Sequence, residues 1–177
     1  KYTYNSDNLP IEKINEIIYS LKNIKKLDMK PSIALEKWSA LALNVINDAL
    51  KIAPNYPIGD DYEPTFTAPA NKPDIECYYS SFNSICEVTM LVSRDQWFNE
   101  GQPVMRHLRD FEDNSTSNIN FALFIAPTLH RDTLNTFWMA SKYEYEGNRI
   151  FFIQGKADVK TSMVHSSDAK ETYEVWN

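Results

Sequence analysis

With 177 residues, 43% of them hydrophobic and 13% aromatic, the chain is sized for one domain with its own core and not for two. Lysine and arginine total 18 against 24 acidic residues, a formal charge of −6. A protein that grips nucleic acid unaided carries a basic face, because phosphate neutralisation supplies most of the sequence-independent affinity, so any DNA substrate would be held mainly by something else. No apolar run approaches the roughly 18 residues that cross a bilayer, and the polar opening KYTYNSDNLP is unlike an export signal. The expectation is a cytoplasmic bacterial protein in which Cys77 and Cys86 are reduced thiols, a disulfide across the hairpin being the alternative.

Residues 10–25, PIEKINEIIYSLKNIK, place Ile11, Ile14, Ile17, Ile18 and Leu21 at helical spacing behind Pro10. A second helix is expected over about 32–53, with Leu35, Trp38, Leu41, Ala42, Val45, Ile46 and Ala49 as its apolar stripe. Residues 54–72, rich in Pro and Gly and carrying Asp60, Asp61 and Glu63, read as loop with one short strand near 64–68. Strands follow at 73–79 (PDIECYY) and 85–92 (ICEVTMLV), joined by the polar turn SSFNS. A helix is expected over 103–113, starting at Pro103, then a buried strand at 121–126 (FALFIA), a helix at 130–142 and a strand at 149–154 (RIFFIQ). The tail from 155 onward carries no clear pattern. The predicted architecture is a single mixed α/β domain over 1–177, a small mixed sheet flanked by helices, with an N-terminal helical part at about 1–53.

The chemistry concentrates in the 73–92 hairpin. Side chains alternate along a strand, so Asp74, Glu76 and Tyr78 share one face of the first strand, and Glu87 and Thr89 share a face of the second. With the turn centred between Ser81 and Phe82, Asp74 lies opposite Thr89 and Glu76 opposite Glu87. Asp74 and Glu87 are then diagonal neighbours, their Cβ atoms roughly 6–8 Å apart. Like charges across paired strands repel, which leaves two readings: a solvent-washed face where the acids spread apart, or a site for a hard divalent cation such as Mg2+, which takes oxygen ligands and keeps waters for substrate phosphate.

Pro73-Asp74, then twelve residues, then Glu87-Val88-Thr89 resembles the core motif of the PD-(D/E)xK nuclease superfamily. The longer segment PDIECYYSSFNSICEVTMLVSRDQWFNEGQPVMRHL is similar to the cleavage domains of AlwI-like type IIS restriction endonucleases, with their acidic strand start, EVT strand and Gly-x-Pro-Val-x-Arg-His-Leu helix start. Within that family the chain looks closest to the small subunit of a heterodimeric enzyme. The strong match covers about residues 73–109. The resemblance implies a restriction-endonuclease-like core with metal ligands at Asp74, Glu87 and Val88. The third motif position, usually Lys, is Thr89 here, which cannot supply a cation. His107 is the candidate for part of that work, with a core-edge histidine as the alternative. Glu100 would contact a water or a second metal, or else be a loop-surface acid before Gly101. Glu36, bordered by Ile33, Ala40 and Leu43, matches the place from which related nucleases send a glutamate to the metal; without the resemblance it reads as a surface acid. Glu76 carries an acid at a family position but is less placed. Arg94, Arg106, Arg109 and His130 are candidate phosphate contacts, each also readable as an ordinary solvated charge.

The implied reaction is Mg2+-dependent hydrolysis of a phosphodiester in duplex DNA, one strand per site, leaving 5′-phosphate and 3′-hydroxyl ends. Nothing in the sequence resembles a DNA-reading motif, so weak DNA binding alone is expected, with recognition supplied by a large nicking subunit. Rival readings are a self-sufficient homodimeric nuclease and a non-catalytic interaction module on a nuclease fold. A small-molecule metalloenzyme is disfavoured by only three histidines and the lack of clustered His/Cys spacing.

Overall fold

The computed structural model describes residues 11–46, 48–144, 149–154 and 161–164, the last two segments as backbone. Two N-terminal helices come first, α1 (Ile11–Lys22) and, after a single 3-10 turn, α2 (Pro31–Ile46). Strand β1 (Lys51–Pro54) leads through a long loop to the hairpin of β2 (Ile75–Tyr78) and β3 (Asn83–Val88). Then α3 (Ser93–Asn114), β4 (Asn120–Ala126), α4 (Arg131–Tyr143), β5 (Arg149–Gln154) and β6 (Thr161–Val164) alternate to the last described residue. The strands form one six-stranded sheet in chain order. β1, β2 and β3 are mutually antiparallel, β3, β4 and β5 run parallel, and β6 returns antiparallel to β5. The two parallel pairs need crossover connections, and α3 and α4 are those crossovers.

The alternation of side chains along the strands sorts the molecule into layers. On one face Ile85, Ala122, Phe124 and Ala126 pack against Val104, Met105 and Leu108 of α3 and Phe137 and Ala140 of α4. Phe124 and Phe137 meet edge to face with ring centres 5.1 Å apart, the arrangement aromatic quadrupoles favour. On the other face Ile75, Cys77 and Cys86 pack with Ala40 and Leu43 of α2, and α1 lies on α2 through Ile17, Ala34, Leu35 and Trp38. β4 is therefore covered on both sides, as its continuous apolar run predicts, although Phe121, Leu123 and Ile125 are less deeply buried than their alternates.

Several boundaries differ from the expected ones. The second helix stops at Ile46 rather than continuing to 53, and residues 51–54 form the edge strand β1. Leu50 already donates its N–H to Tyr78 O at 2.7 Å, so sheet pairing takes over where the helical stripe seemed to continue. Pro54, which has no N–H to give, is tolerated on an edge. α2 is thus packed directly on the sheet with α1 lying on it, and residues 1–10 lie outside the described part. The expected strand near 64–68 is reduced to one isolated bridge, Ile58 with Pro64. α3 begins at Ser93, ten residues before the expected start, leaving Pro103 inside it. Interior proline removes one helical hydrogen bond; here the helix is held on both sides of it by buried Gln96, Gly101, Val104, Met105 and Leu108. Both cysteines are free and buried, and burial pushes the Cys77 thiol up to about 12.

Candidate active site

The hairpin register brings the two motif carboxylates closer than expected. Ile75 pairs with Cys86 and Tyr78 with Asn83, two residues away from the predicted pairing. The turn closes at Tyr79 and Phe82, whose rings stack at 4.2 Å while Tyr79 N donates to Phe82 O. A slip of two preserves the faces, so Asp74, Glu76 and Glu87 remain on one side of the sheet, but it moves Asp74 from a diagonal position to one directly beside Glu87. Asp74 sits just before β2 and its Oδ2 accepts the N–H of Val88 at 2.8 Å. Asn55 braces the approach: its N–H donates to Asp74 O at 2.9 Å, and its side-chain amide donates to Pro73 O and, at 3.2 Å, to Glu76.

Glu87 lies near the end of β3 and is 5% exposed. Its Oε1 is 2.8 Å from Nδ1 of His107, which α3 carries over the sheet, and its carboxyl is within hydrogen-bonding reach of Asp74. Burial, more than any neighbour, pushes both acids well above the usual carboxylate range; Glu87 adds to the effect on Asp74, and Glu100 to that on Glu87. Burial likewise holds His107 below its ordinary value, with the Arg106 charge contributing. Glu87 and His107 thus meet through one hydrogen bond in a buried setting that opposes charge on both.

Two further acids complete the cluster. Glu36, on α2, is 3% exposed; its Oε2 accepts the N–H of Ala68 at 2.9 Å, and burial with the charge of Asp74 raises it to about 8. Together with the Lys37–Glu63 ion pair, this ties the 54–72 loop to α2. Glu100 lies on α3, not in a loop, and is half-buried; desolvation raises it while a hydrogen bond from Thr89 and the proximity of His107 draw it back.

So many buried acids, each resisting ionisation, are costly unless something positive relieves them. Among the described residues no three His, Cys, Asp or Glu side chains form a ready-made metal cage. A cation here would rest on Asp74 and Glu87, with water and the Val88 carbonyl, since the Val88 side chain packs on the opposite face of the sheet. An oxygen donor set with few protein ligands fits Mg2+, which binds through one or two carboxylates and retains its waters.

The other expected residues divide. Arg94 and Arg106 are exposed on α3, Arg106 next to His107. Arg109 pairs with Glu144 of α4 at 3.1 Å, and His130 caps α4 by accepting the N–H of Asp132, so both are engaged in holding helices. Glu76 accepts from Tyr78 Oη at 2.6 Å as well as from Asn55 and, with His107 and Lys72, lines a cavity of about 310 Å3 between β2 and α3. Asn55 was not anticipated, and a lone Asn after Pro54 gives no signal of its role. Gln96 was also missed; fully buried, it donates to Leu91 O and Thr128 O and accepts from His130 N, joining the two loops beside the site. Ser93, three residues earlier, has the spacing of a helix start, but the helix is capped at Val92 with no side-chain bond, so no local signal marked Gln96.

The AlwI restriction endonuclease family model matches residues 3–153. The chain belongs to that family. Among solved structures, this AlwI-family chain is similar to the small subunit of the heterodimeric restriction endonuclease R.BspD6I, with a TM-score of 0.69 at 17% identity, over 79% of this chain and 72% of that one. At that identity the likeness establishes a shared fold, the α/β restriction-endonuclease architecture read from the sequence. No curated protein matches the sequence. Among the described residues no helix is long and apolar enough to cross a membrane.

Proposed function

We propose that this AlwI-family chain is the catalytic small subunit of a heterodimeric type IIS restriction endonuclease, cutting one strand of duplex DNA by Mg2+-dependent hydrolysis. The observation that carries the reading is the pair Asp74 and Glu87, buried side by side and tied together through the Val88 N–H. Mg2+ bound there would lower the pKa of a coordinated water and offset negative charge building on the phosphate. Water attacking phosphorus in line with the 3′ oxygen would form the new phosphorus–oxygen bond as the phosphorus–O3′ bond breaks and the departing oxygen takes up a proton, leaving 5′-phosphate and 3′-hydroxyl ends. His107, hydrogen-bonded to Glu87 and facing the cavity beside it, orients that carboxylate and is placed to move a proton. Glu100 and Glu36 border the pair. Arg94 and Arg106, exposed on α3, are left as contacts for phosphate.

The partner follows from charge and from the fold relative. A chain with a net charge of −6 gains little from phosphate neutralisation, and the structural relative is itself one subunit of a heterodimer. A larger subunit would recognise the sequence, cut the other strand and deliver the DNA. The test mixes the chain with an AlwI-family nicking large subunit on a supercoiled plasmid with Mg2+. The expected result is linear DNA from the mixture and only nicked circles from the large subunit alone or from the mixture with Asp74→Asn. Linear DNA from the Asp74→Asn mixture would instead make the chain a non-catalytic module, and sequence-specific cutting by the isolated chain would make it self-sufficient.

A further inference from the structure

Resting on the nuclease reading above, we propose that Tyr78 and Asn55 set the metal preference of the site by holding Glu76 off the cation, so that two carboxylates and not three serve it. Glu76 stands on the same face of the sheet as Asp74 and Glu87. It pairs with Ile85, which puts it diagonal to Glu87 across the hairpin, at roughly 7–8 Å, a gap that long side chains bridge. Yet both of its oxygens are committed elsewhere. Oε2 accepts the hydroxyl proton of Tyr78 at 2.6 Å, and Oε1 accepts from the Asn55 side-chain amide at 3.2 Å. Each donor is itself held. Asn55 also donates from its amide to Pro73 O at 2.9 Å and from its main-chain N–H to Asp74 O. The Tyr78 ring lies 6.0 Å from that of Phe111, centre to centre, and Lys51 Nζ sits 5.1 Å from its centre. So clamped, Glu76 lines the cavity between β2 and α3, and among the described residues no three metal-binding side chains converge. Ligand number separates the two common hard cations: Ca2+ takes about six to eight oxygens, whereas Mg2+ binds through one or two carboxylates and keeps its waters. Withholding the third acid therefore favours Mg2+ over Ca2+.

A merely structural tyrosine would shift both ions alike, so the test reads the ratio of Ca2+ to Mg2+ affinity of the full chain, independent of cleavage. Each ion displaces Mn2+, whose bound fraction is followed by electron paramagnetic resonance. Tyr78→Phe keeps the ring and removes the proton that holds Oε2. It is expected to tighten Ca2+ binding about tenfold while Mg2+ moves less than about threefold, because an added carboxylate suits the larger coordination shell. In a Glu76→Gln background the same substitution is expected to change neither ion, since the acid it releases is gone. An unchanged ratio in Tyr78→Phe, or the same shift in both backgrounds, overturns the proposal. So does a loss of about tenfold in either affinity from Glu76→Gln alone, which would make Glu76 a ligand already. Asn55→Ser, which frees Oε1 instead, gives the same comparison if the phenylalanine variant does not fold. The parent reading fails separately, and takes this one with it, if Asp74→Ala binds Mn2+ as well as the unaltered chain does.

Discussion

Replacing Glu36 by glutamine asks whether the site holds its acids against their own solvation. The substitution keeps the shape and leaves an oxygen to accept the Ala68 N–H, now at 2.9 Å. Burial, assisted by Asp74, has moved this carboxyl from 4.5 to about 8. A raised acid keeps in the folded state a proton that the unfolded chain loses, so its stabilising contribution is complete below about pH 4.5 and disappears as pH rises through 8. Each pH unit is worth about 1.4 kcal/mol, which puts the ionised form roughly 5 kcal/mol above its unfolded reference; relaxation and water entry reduce the realised cost to about 2–3 kcal/mol. Glu36→Gln removes that cost and is expected to raise the melting midpoint by roughly 5–10 °C at pH 9 for a chain of this size, with little change at pH 5. The assay is thermal unfolding by circular dichroism in metal-free buffer at both pH values. An equal rise at both, or a fall at pH 9, would refute the reasoning.

Asp74→Asn is expected to abolish cleavage with the large subunit while raising the midpoint of the metal-free chain, and the parent's midpoint should climb with added Mg2+ while the variant's does not; denaturation with and without Mg2+ checks both. Phe124→Ala, which opens a cavity in the fully buried layer against Phe137, should cost about 3–5 kcal/mol in urea unfolding. Gln96→Leu strands the Leu91 and Thr128 carbonyls and the His130 N–H, and should destabilise by about 2–4 kcal/mol; a change below half a kcal/mol in the same titration would mean that water takes over those partners.

The strongly periodic elements were legible because one physical rule decided each. The run FALFIA is packed on both faces and the helix expected over 130–142 packs one face on the sheet, and burial specifies them. The carboxylate face was legible because alternation survives an error of two in the pairing. What the sequence concealed was set by competition between distant partners. Residues 51–54 continue a helical-looking pattern, yet β2 offers them a sheet edge. Pro103 looks like a helix start, yet the buried Gln96 amide anchors the helix ten residues earlier. Asp74, Glu87 and His107, named from the motif resemblance, lie together in the fold; Asn55, which braces Asp74 through main-chain and amide bonds, carries no chemical mark in the sequence.

The tight connection at Tyr79–Phe82 has a consequence for how relatives of this protein can diverge. A slip of one residue in the pairing it sets would turn one arm of the hairpin over, carrying acids to the α2 layer and Cys77 and Ile75, or their partners across the ladder, to the α3 side. Changes by pairs would only respace the acids along their own side. Relatives that keep these acids together should therefore preserve the pairing to within steps of two, whatever the length of the connecting loop.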